Sequence, residues 1–334
     1  MLKFALLGTG RIGKMHAENI DTNQKCKLEI VYDINNQSSN EIGKKYSCKV
    51  AQTAEEAISN SEIDVVYISS ATPTHIDYIL QAAKANKAIF CEKPIDLDIE
   101  KVDSCRKELK KYNVPIQIGF NRRFDPSHKS AKDAKDKGEI GKLEKIIITS
   151  RDPAPPGIAY LRDAGGMYRD MTIHDFDLMR YILGEDPIEK VFATGSILFD
   201  DDVKEINDMD TAMIVMKSKS GVLCHINNSR RAVYGYDQRI EIFGSKGMVI
   251  SDNQTPSSLQ KFNDKITKAN EPIHYFFIER YKEAYKIQLD NFIDCIANNK
   301  STSVNFDDGR NALIVANGAV ESFQSGKFIT INFD

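Results

Sequence analysis

LKFALLGTGRIG, at residues 2–13, is the stretch of sequence that decides the fold. The apolar run at its start predicts a short strand, and the pattern that follows the three glycines predicts a helix. Gly8 allows a tight turn, Gly10 lets a phosphate group approach the backbone, and Gly13 lets the helix pack closely on the strand. Strand, glycine turn and helix in this order are typical of a dinucleotide-binding domain.

A second apolar run, Leu28 to Tyr32, stops at Asp33, which lies twenty residues after Gly13. A carboxylate at the end of a second strand accepts hydrogen bonds from the ribose hydroxyls of a dinucleotide and repels a 2′-phosphate. The spacing therefore predicts NAD rather than NADP as the cofactor. The alternative at this point is a structural turn followed by a solvated aspartate.

Apolar runs alternate with helical patterns as far as residue 119, with strands expected at residues 65–68 and 88–90, and this alternation predicts a doubly wound parallel sheet. Beyond it, strand patterns follow one another with turns between them, which predicts an α/β domain with an open, largely antiparallel sheet. We therefore expect two domains, at residues 1–119 and 120–334. In the second domain, helices are predicted at residues 173–183, 281–298 and 309–325.

The composition favours a small ligand. The 334 residues include 45 Lys and Arg against 48 Asp and Glu, without long blocks of like charge, so no nucleic-acid or membrane partner is expected. No apolar run approaches the length of a membrane helix, and no signal-peptide pattern appears, which predicts a cytoplasmic protein. The six cysteines are widely spaced and no metal-ligand spacing occurs, so free thiols and no metal are expected.

The segment DMTIHDFD, residues 170–177, is the richest polar constellation in the chain. Asp170 and His174 are four residues apart, which predicts one helical face, and Asp177 follows three residues later. Histidine suits proton abstraction near neutral pH, and a carboxylate one turn away can orient it. The alternative is a helix N-terminus that carries acids because they favour its dipole.

Glu92, Lys93 and Pro94 follow the strand that ends at Cys91, at the edge where open parallel sheets bind ligands. Lys93 is therefore a candidate to point towards a ligand. The alternative is an exposed lysine at a strand end, which is common for lysine in general.

Four segments together resemble the glucose-fructose oxidoreductase, inositol dehydrogenase and rhizopine-catabolism family of NAD(P)-dependent enzymes. They cover both predicted domains in the order GTGRIGKMHAENI, SSATPTHIDYILQAAKANKAIFCEKP, GFNRRFDPSH and GGMYRDMTIHDFDLMRYILGEDP. The pairing of EKP with the downstream DxxxHDFD is specific to this family. Within the family the likeness is strongest to bacterial myo-inositol 2-dehydrogenases, on GFNRRFDPSH, on SRDP at residues 150–153 and on YGYD at residues 234–237.

The resemblance implies an NAD-binding Rossmann domain at residues 1–119 and a domain for substrate binding and oligomerisation at residues 120–334. The second domain's open sheet would join copies of the chain into a homo-oligomer, a tetramer or a dimer. In this family a cis bond often precedes the proline of EKP. The residues that match the family's catalytic positions are Lys93, Asp170 and His174.

The resemblance also implies two sets of residues in contact with ligands. Those for the cofactor are Gly8, Gly10, Arg11, Ile12, Gly13, Asp33, Thr72, Pro73, His75, Glu92 and Lys93. Those for substrate hydroxyls are Arg123, Asp152, Asp170, His174, Asp177 and Tyr236.

The resemblance implies NAD-dependent oxidation of a secondary alcohol of a cyclic polyol to a ketone, with myo-inositol giving 2-keto-myo-inositol (scyllo-inosose). His174 would take the hydroxyl proton, Lys93 would stabilise the negative charge that develops on the oxygen, and Asp170 would hold a neighbouring hydroxyl. One alternative is a scyllo-inositol or pyranose dehydrogenase of the same family. Another is a non-catalytic regulator that senses NAD on the same fold.

Overall fold

The computed structural model describes residues 1–334 and divides into two compact units. The first comprises residues 1–121 and 285–311, and the second comprises residues 122–284 and 312–334. Nothing in the sequence analysis anticipated the return of residues 285–311 to the first unit. The assignment of cofactor binding to residues 1–119 and of substrate binding to residues 120–334 stays a prediction about function.

The first unit contains a six-stranded parallel sheet with the order β3-β2-β1-β4-β5-β6. This is the doubly wound order, so the predicted Rossmann architecture is confirmed. The strands are β1 Leu2–Leu7, β2 Cys26–Tyr32, β3 Lys49–Val50, β4 Val65–Ile68, β5 Ala88–Cys91 and β6 Ile116–Ile118. The helices between them are α1 Arg11–Asp21, α2 Asn36–Tyr46, α3 Ala54–Ser59, α4 His75–Lys84 and α5 Ile99–Leu109.

The core of the first unit explains why residues from far along the chain belong to it. All residues of β4 and β5 are buried, as expected for a parallel sheet that is covered on both faces. Leu289, Phe292 and Ile293 pack into the same apolar cluster as the central strands. They belong to a helix whose apolar side chains need this surface, and burying each is worth about 1.5–3 kcal/mol.

The second unit contains a seven-stranded sheet with the order β12-β11-β7-β10-β9-β8-β15. Only β7 and β10 pair in parallel, so the predicted largely antiparallel sheet is confirmed. Its strands are β7 Leu143–Arg151, β8 Ile188–Ser196, β9 Thr211–Ser218, β10 Leu223–Ser229, β11 Asp237–Gly244, β12 Gly247–Ser251 and β15 Ile329–Thr330. A separate hairpin is formed by β13 Gln260–Lys261 and β14 Ala269–Asn270.

The later helices include two that cross the unit boundaries at residues 285 and 312. In chain order they are α6 Pro126–Asp136, α7 Ile158–Ala164, α8 Gly166–Asp170, α9 Ile173–Leu183, α10 Phe277–Arg280, α11 Lys282–Ala297 and α12 Phe306–Ser325. No helix combines the length and the apolar character that crossing a membrane requires.

One face of the second sheet carries apolar side chains in contact with solvent. Along β9, side chains alternate: Ala212, Ile214 and Met216 are buried, whereas Met213 and Val215 are exposed. The buried side packs in one cluster with side chains of α9 and α12. The exposed side, called the open face below, presents Met213, Val215, Leu223, Phe243, Met248 and Ile250.

Candidate active site

The glycine-rich turn between β1 and α1 has the geometry that nucleotide binding requires. Gly8 has a φ of +98°, and a Cβ on this residue would lie 2.5 Å from the carbonyl carbon of Ser69. A Cβ on Gly13 would lie 2.0 Å from the Gly8 oxygen. At Gly10, in contrast, a Cβ would meet no heavy atom within 4 Å. The backbone at the start of α1, before Arg11 and Ile12, is therefore open to a phosphate group.

Asp33, directly after β2, is held against this turn. Its Oδ2 accepts hydrogen bonds from the backbone N–H of Thr9 at 2.5 Å and from the Thr9 hydroxyl at 3.0 Å. Its Oδ1 accepts from the backbone N–H of Asn35 at 2.8 Å. The carboxylate is thus fixed next to the glycine turn, at the position from which a ribose hydroxyl would be bound. These residues fit NAD.

Two further segments of the first unit follow β4 and β5. After β4, a 3-10 turn at Thr72–Thr74 contains the exposed Pro73 and leads into α4. The first residue of α4, His75, is buried, and burial lowers the pKa of its imidazole. After β5 come Glu92, Lys93 and Pro94, and the peptide bond between Lys93 and Pro94 is cis. The predicted cofactor residues therefore lie on segments that leave the carboxyl edge of one sheet.

The predicted placement of Asp170 and His174 on one helical face is wrong. Asp170 is the last residue of α8, and His174 lies in the first turn of α9. The helix breaks because the Thr172 N–H donates to the carbonyl of Met167, five residues back, and the Thr172 hydroxyl donates to Asn228 Oδ1 at 2.6 Å. His174 and Asp177 do share α9, as expected.

Asp170 is bound on both carboxylate oxygens by residues that the sequence analysis missed. Tyr160 donates its hydroxyl to Oδ1 at 2.7 Å, and two guanidinium nitrogens of Arg230 lie 3.3 Å from Oδ2. Burial and the Asp170 charge raise the pKa of Tyr160, so its hydroxyl stays a donor. Arg230 is only 1% exposed, which makes it the counter-charge of a buried pair. No local spacing links Arg230 to Asp170, which is 60 residues earlier.

Asp152 follows β7 and belongs to the same electrostatic group. Burial raises the pKa of its carboxyl to about 6, because the Arg230 charge only partly offsets desolvation and the charge of Asp170 adds to it. Near neutral pH, Asp152 and Asp170 can both accept hydrogen bonds from hydroxyl groups. This arrangement suits an uncharged ligand that is rich in hydroxyls.

The second unit contains two further buried ion pairs. Arg123 binds Asp177 through two hydrogen bonds of 2.8 and 2.5 Å, so two predicted substrate residues are partners of each other. Arg122 pairs with Asp175, neither of which was singled out from sequence. The predicted substrate residue Tyr236 is buried, and its hydroxyl lies 3.5 Å from an Arg122 nitrogen. No group of three or more His, Cys, Asp or Glu side chains could hold a metal ion.

Comparison with known proteins identifies the family of this chain. Residues 2–120 match an oxidoreductase family described as having an NAD-binding Rossmann fold, and residues 128–250 match the C-terminal domain of Gfo/Idh/MocA proteins. The chain belongs to the Gfo/Idh/MocA family. It is therefore an NAD-dependent oxidoreductase, and the resemblance found in the sequence is confirmed.

Relatives within the Gfo/Idh/MocA family match the chain from end to end. It is 43% identical over 331 residues to the inositol 2-dehydrogenase of Rhizobium meliloti strain 1021, with 99% of each chain covered. The crystal structure of a myo-inositol dehydrogenase from Corynebacterium glutamicum superposes with a TM-score of 0.96 at 40% identity, covering 99% of each chain. A scyllo-inositol dehydrogenase from Lactobacillus casei, solved with NAD(H) and scyllo-inositol bound, superposes with a TM-score of 0.91 at 29% identity, again covering 99% of each chain.

Proposed function

We propose that this chain is an inositol 2-dehydrogenase that oxidises myo-inositol to 2-keto-myo-inositol with NAD⁺. The observation that carries the proposal is the end-to-end likeness to the Rhizobium meliloti enzyme of that name. The acceptors Asp152 and Asp170 in the second unit support a substrate that presents several hydroxyl groups.

We propose that Lys93, Asp170 and His174 act on one substrate. His174 accepts the proton of the reacting hydroxyl, since a neutral imidazole nitrogen is a suitable base near pH 7. The Lys93 ammonium stabilises the negative charge that develops on that oxygen. Asp170 holds a neighbouring hydroxyl, and Arg230 and Tyr160 fix its carboxylate for this purpose. NAD⁺, when bound, supplies the hydride acceptor.

The predicted substrate contacts of Arg123, Asp177, Asp152 and Tyr236 remain proposals. Arg123 and Asp177 are hydrogen-bonded to each other. Arg123 can therefore offer a substrate only its remaining N–H groups, and Asp177 only its remaining lone pairs. Asp152 has no such competing ion pair at hydrogen-bond distance in the structure, and we propose it as the stronger contact of the four.

A panel of myo-inositol, scyllo-inositol and glucose, each with NAD⁺ and with NADP⁺, tests the proposal by absorbance of the reduced nicotinamide. We expect the highest kcat/KM with myo-inositol and NAD⁺. A clear preference for scyllo-inositol or for a pyranose would replace the substrate but keep the reaction, and relatives named for scyllo-inositol make the former the second candidate. Binding of NAD without turnover of any polyol would favour the regulator.

We further propose that the open face joins copies of the chain into a homotetramer or a homodimer. Six apolar side chains are exposed on it, and contiguous apolar surface of this kind marks an interaction site. Met213→Glu should lower the molar mass seen by light scattering, whereas an unchanged mass would reject the open face as the contact. We also propose a cytoplasmic location, because all six cysteines are free thiols, which suits a reducing compartment.

A further inference from the structure

Two buried histidines, one on each side, hold the turn that carries Lys93. His16, on α1, lies with Nε2 2.8 Å from Oε1 of Glu92, the residue before Lys93. His75, on α4, lies with Nδ1 2.8 Å from the carbonyl oxygen of Pro94, the residue after it. The two histidines are 2% and 1% exposed. Neither of these two hydrogen bonds is made to Lys93 itself.

The first histidine is fixed in one tautomer. A carboxylate only accepts hydrogen bonds, so the His16 nitrogen that faces Glu92 must carry a proton. In the neutral ring the other nitrogen, Nδ1, then accepts from the Tyr67 hydroxyl, which lies 2.8 Å away. Burial raises the pKa of Tyr67 well above its usual value, so this hydroxyl remains a donor. Tyr67, His16 and Glu92 therefore form a hydrogen-bonded chain with a single direction.

The Glu92 side chain is also confined from the opposite direction. A Cβ on Gly119 would lie 2.7 Å from Oε2 of Glu92, so the absence of a side chain at residue 119 makes room for the carboxylate. The backbone N–H of Glu92 donates to the Ile68 carbonyl at 2.9 Å. Backbone and side chain of Glu92 are thus both tied to the first unit.

The second histidine links two segments that leave the sheet. His75 Nε2 lies 3.0 Å from the carbonyl oxygen of Ser70, two residues after β4, while Nδ1 faces the carbonyl oxygen of Pro94 after β5. One imidazole therefore spans from the loop after β4 to the turn after β5. Both partners are carbonyl oxygens, which only accept, and burial favours the neutral ring by lowering its pKa, so the single N–H of His75 donates to one of them. Losing that hydrogen bond would leave a buried donor without a partner, which costs about 1–3 kcal/mol.

We propose that His16 and His75 are positioning residues that set the place of Lys93 through its two neighbours in the chain. The proposal rests on the proposed function, in which the Lys93 ammonium stabilises the reacting oxygen. A misplacement of about 1 Å in a catalytic group can cost on the order of 10²-fold in rate, so such support acts on kcat. Tyr67 contributes to the same positioning because its hydroxyl orients the His16 ring.

The test compares three substitutions in the NAD-dependent oxidation of myo-inositol. His16→Leu should lower kcat by about 10- to 100-fold while KM for NAD⁺ changes less than about threefold. His16→Gln keeps a side-chain N–H that can reach Glu92, and it should restore most of the lost kcat. Tyr67→Phe removes only the hydroxyl and should lower kcat by a smaller factor, about 3- to 10-fold.

The controls separate positioning from a loss of folding. Tyr168→Phe removes a buried hydroxyl that has no hydrogen-bond partner, and its kcat should be unchanged. If His16→Leu does not fold, the test rests on His16→Gln, which keeps a side-chain donor, and on Tyr67→Phe, which keeps the volume of the ring. The proposal is overturned if kcat is unchanged in both single variants, Tyr67→Phe and His16→Leu. It is also overturned if His16→Gln folds but has a kcat no higher than that of His16→Leu.

A double-mutant cycle distinguishes failure of this proposal from failure of the proposed function. If His16 acts through Lys93, His16→Leu should cause no further loss of kcat in a Lys93→Met background. A full additional loss there overturns the positioning role. If Lys93→Met alone keeps normal turnover, the proposed function of Lys93 is what has failed. The same cycle with His75→Leu tests the second histidine.

Discussion

Replacing Asp152 by asparagine should make the protein more stable near neutral pH while it loses activity. Burial raises the pKa of this carboxyl from 3.8 to about 6 in the folded chain, so folding favours its protonated form. Below the unfolded pKa both states are protonated and the penalty is absent. Above the folded pKa both states are ionised and the penalty is complete. The contribution of Asp152 to stability therefore falls as pH rises from about 4 to about 6.

The size of the effect follows from the shift. Each unit of pKa corresponds to about 1.36 kcal/mol, so a shift of roughly two units gives an upper value of about 3 kcal/mol at pH 7. Asp152→Asn removes the ionisable group and with it this penalty. The variant should therefore gain stability relative to the parent as pH rises, by about 3 kcal/mol at most. Its kcat/KM for myo-inositol should fall, because an amide is a weaker acceptor for substrate hydroxyls than a carboxylate.

Thermal unfolding from pH 4 to pH 8 measures this difference between Asp152→Asn and the parent. The difference is the informative quantity, because buried acids such as Asp125, whose pKa is lowered, change both proteins alike at low pH. Asp264→Asn, at an exposed aspartate, serves as the matched control for the change from a carboxylate to an amide. A difference for Asp152→Asn that stays constant across this range, or that grows towards acid pH, would refute the reasoning.

Three further predictions concern the cofactor and the catalytic residues. Because Asp33 is fixed beside the glycine turn, kcat/KM should favour NAD⁺ over NADP⁺ by at least about tenfold, or about 1.4 kcal/mol, and equal use of both would reject this role. His174→Ala should lower kcat by about 10² to 10⁴ with NAD binding nearly intact, and near-normal turnover would return His174 to a structural role. Lys93→Met should melt within a few degrees of the parent and bind NAD normally, yet lose about 10² or more in turnover. Lys93→Arg should have the same low turnover, since a planar guanidinium cannot take the place of a compact ammonium. Unchanged turnover in Lys93→Met would refute the catalytic role.

The elements that sequence predicted well are those whose burial is continuous along the chain. The strand expected at residues 65–68 and the helix expected at residues 173–183 have these bounds in the structure. Every residue of that strand is buried, and most of that helix is, so their apolar character is unbroken. A continuous apolar run of this kind is visible within the segment itself, so local pattern is sufficient to find it.

Helices with a mostly polar surface were missed for the opposite reason. Asn36–Tyr46 buries only three residues, and Ile99–Leu109 and Pro126–Asp136 are similarly exposed, so few apolar side chains mark any of the three helices. Their N-caps carried a usable signal: the side chains of Asn35, Asp98 and Asp125 each accept backbone N–H groups of the following turn. These capping residues were a local signal for the start of each helix that did not depend on apolar content.

The sequence identified candidate site residues but not their hydrogen-bond and ion-pair partners. Asp170, His174 and Lys93 stood out by spacing and by resemblance, and the roles assigned to them stay predictions. At the break between α8 and α9, the Thr172 hydroxyl is hydrogen-bonded to Asn228, which is 56 residues away in the chain. A spacing of four residues predicts a shared helical face only when no such distant contact interrupts the helix.

The alternative interpretation of DMTIHDFD, a helix N-terminus that carries acids, accounts for the place of Asp175 in the first turn of α9 but not for the burial of Asp175 and Asp177. Asp175 is fully buried and Asp177 is 1% exposed, so neither is an exposed acid that merely favours the dipole. A buried carboxylate without a counter-charge costs several kcal/mol, so each of these residues needs an arginine from elsewhere in the chain.

The arginines come from two segments that spacing could not connect to these acids. Arg122 and Arg123, adjacent in sequence, pair with Asp175 and Asp177, which are 53 and 54 residues further on. Arg230 pairs with Asp170 in the same way. In each case the acid lies in DMTIHDFD, so removing one arginine leaves a buried charge unpaired on the segment that carries His174. The positions of the proposed catalytic residues in this unit are therefore set by charge pairing between distant segments, and a mutation at Arg122 should reach His174 through Asp175, its neighbour in the chain.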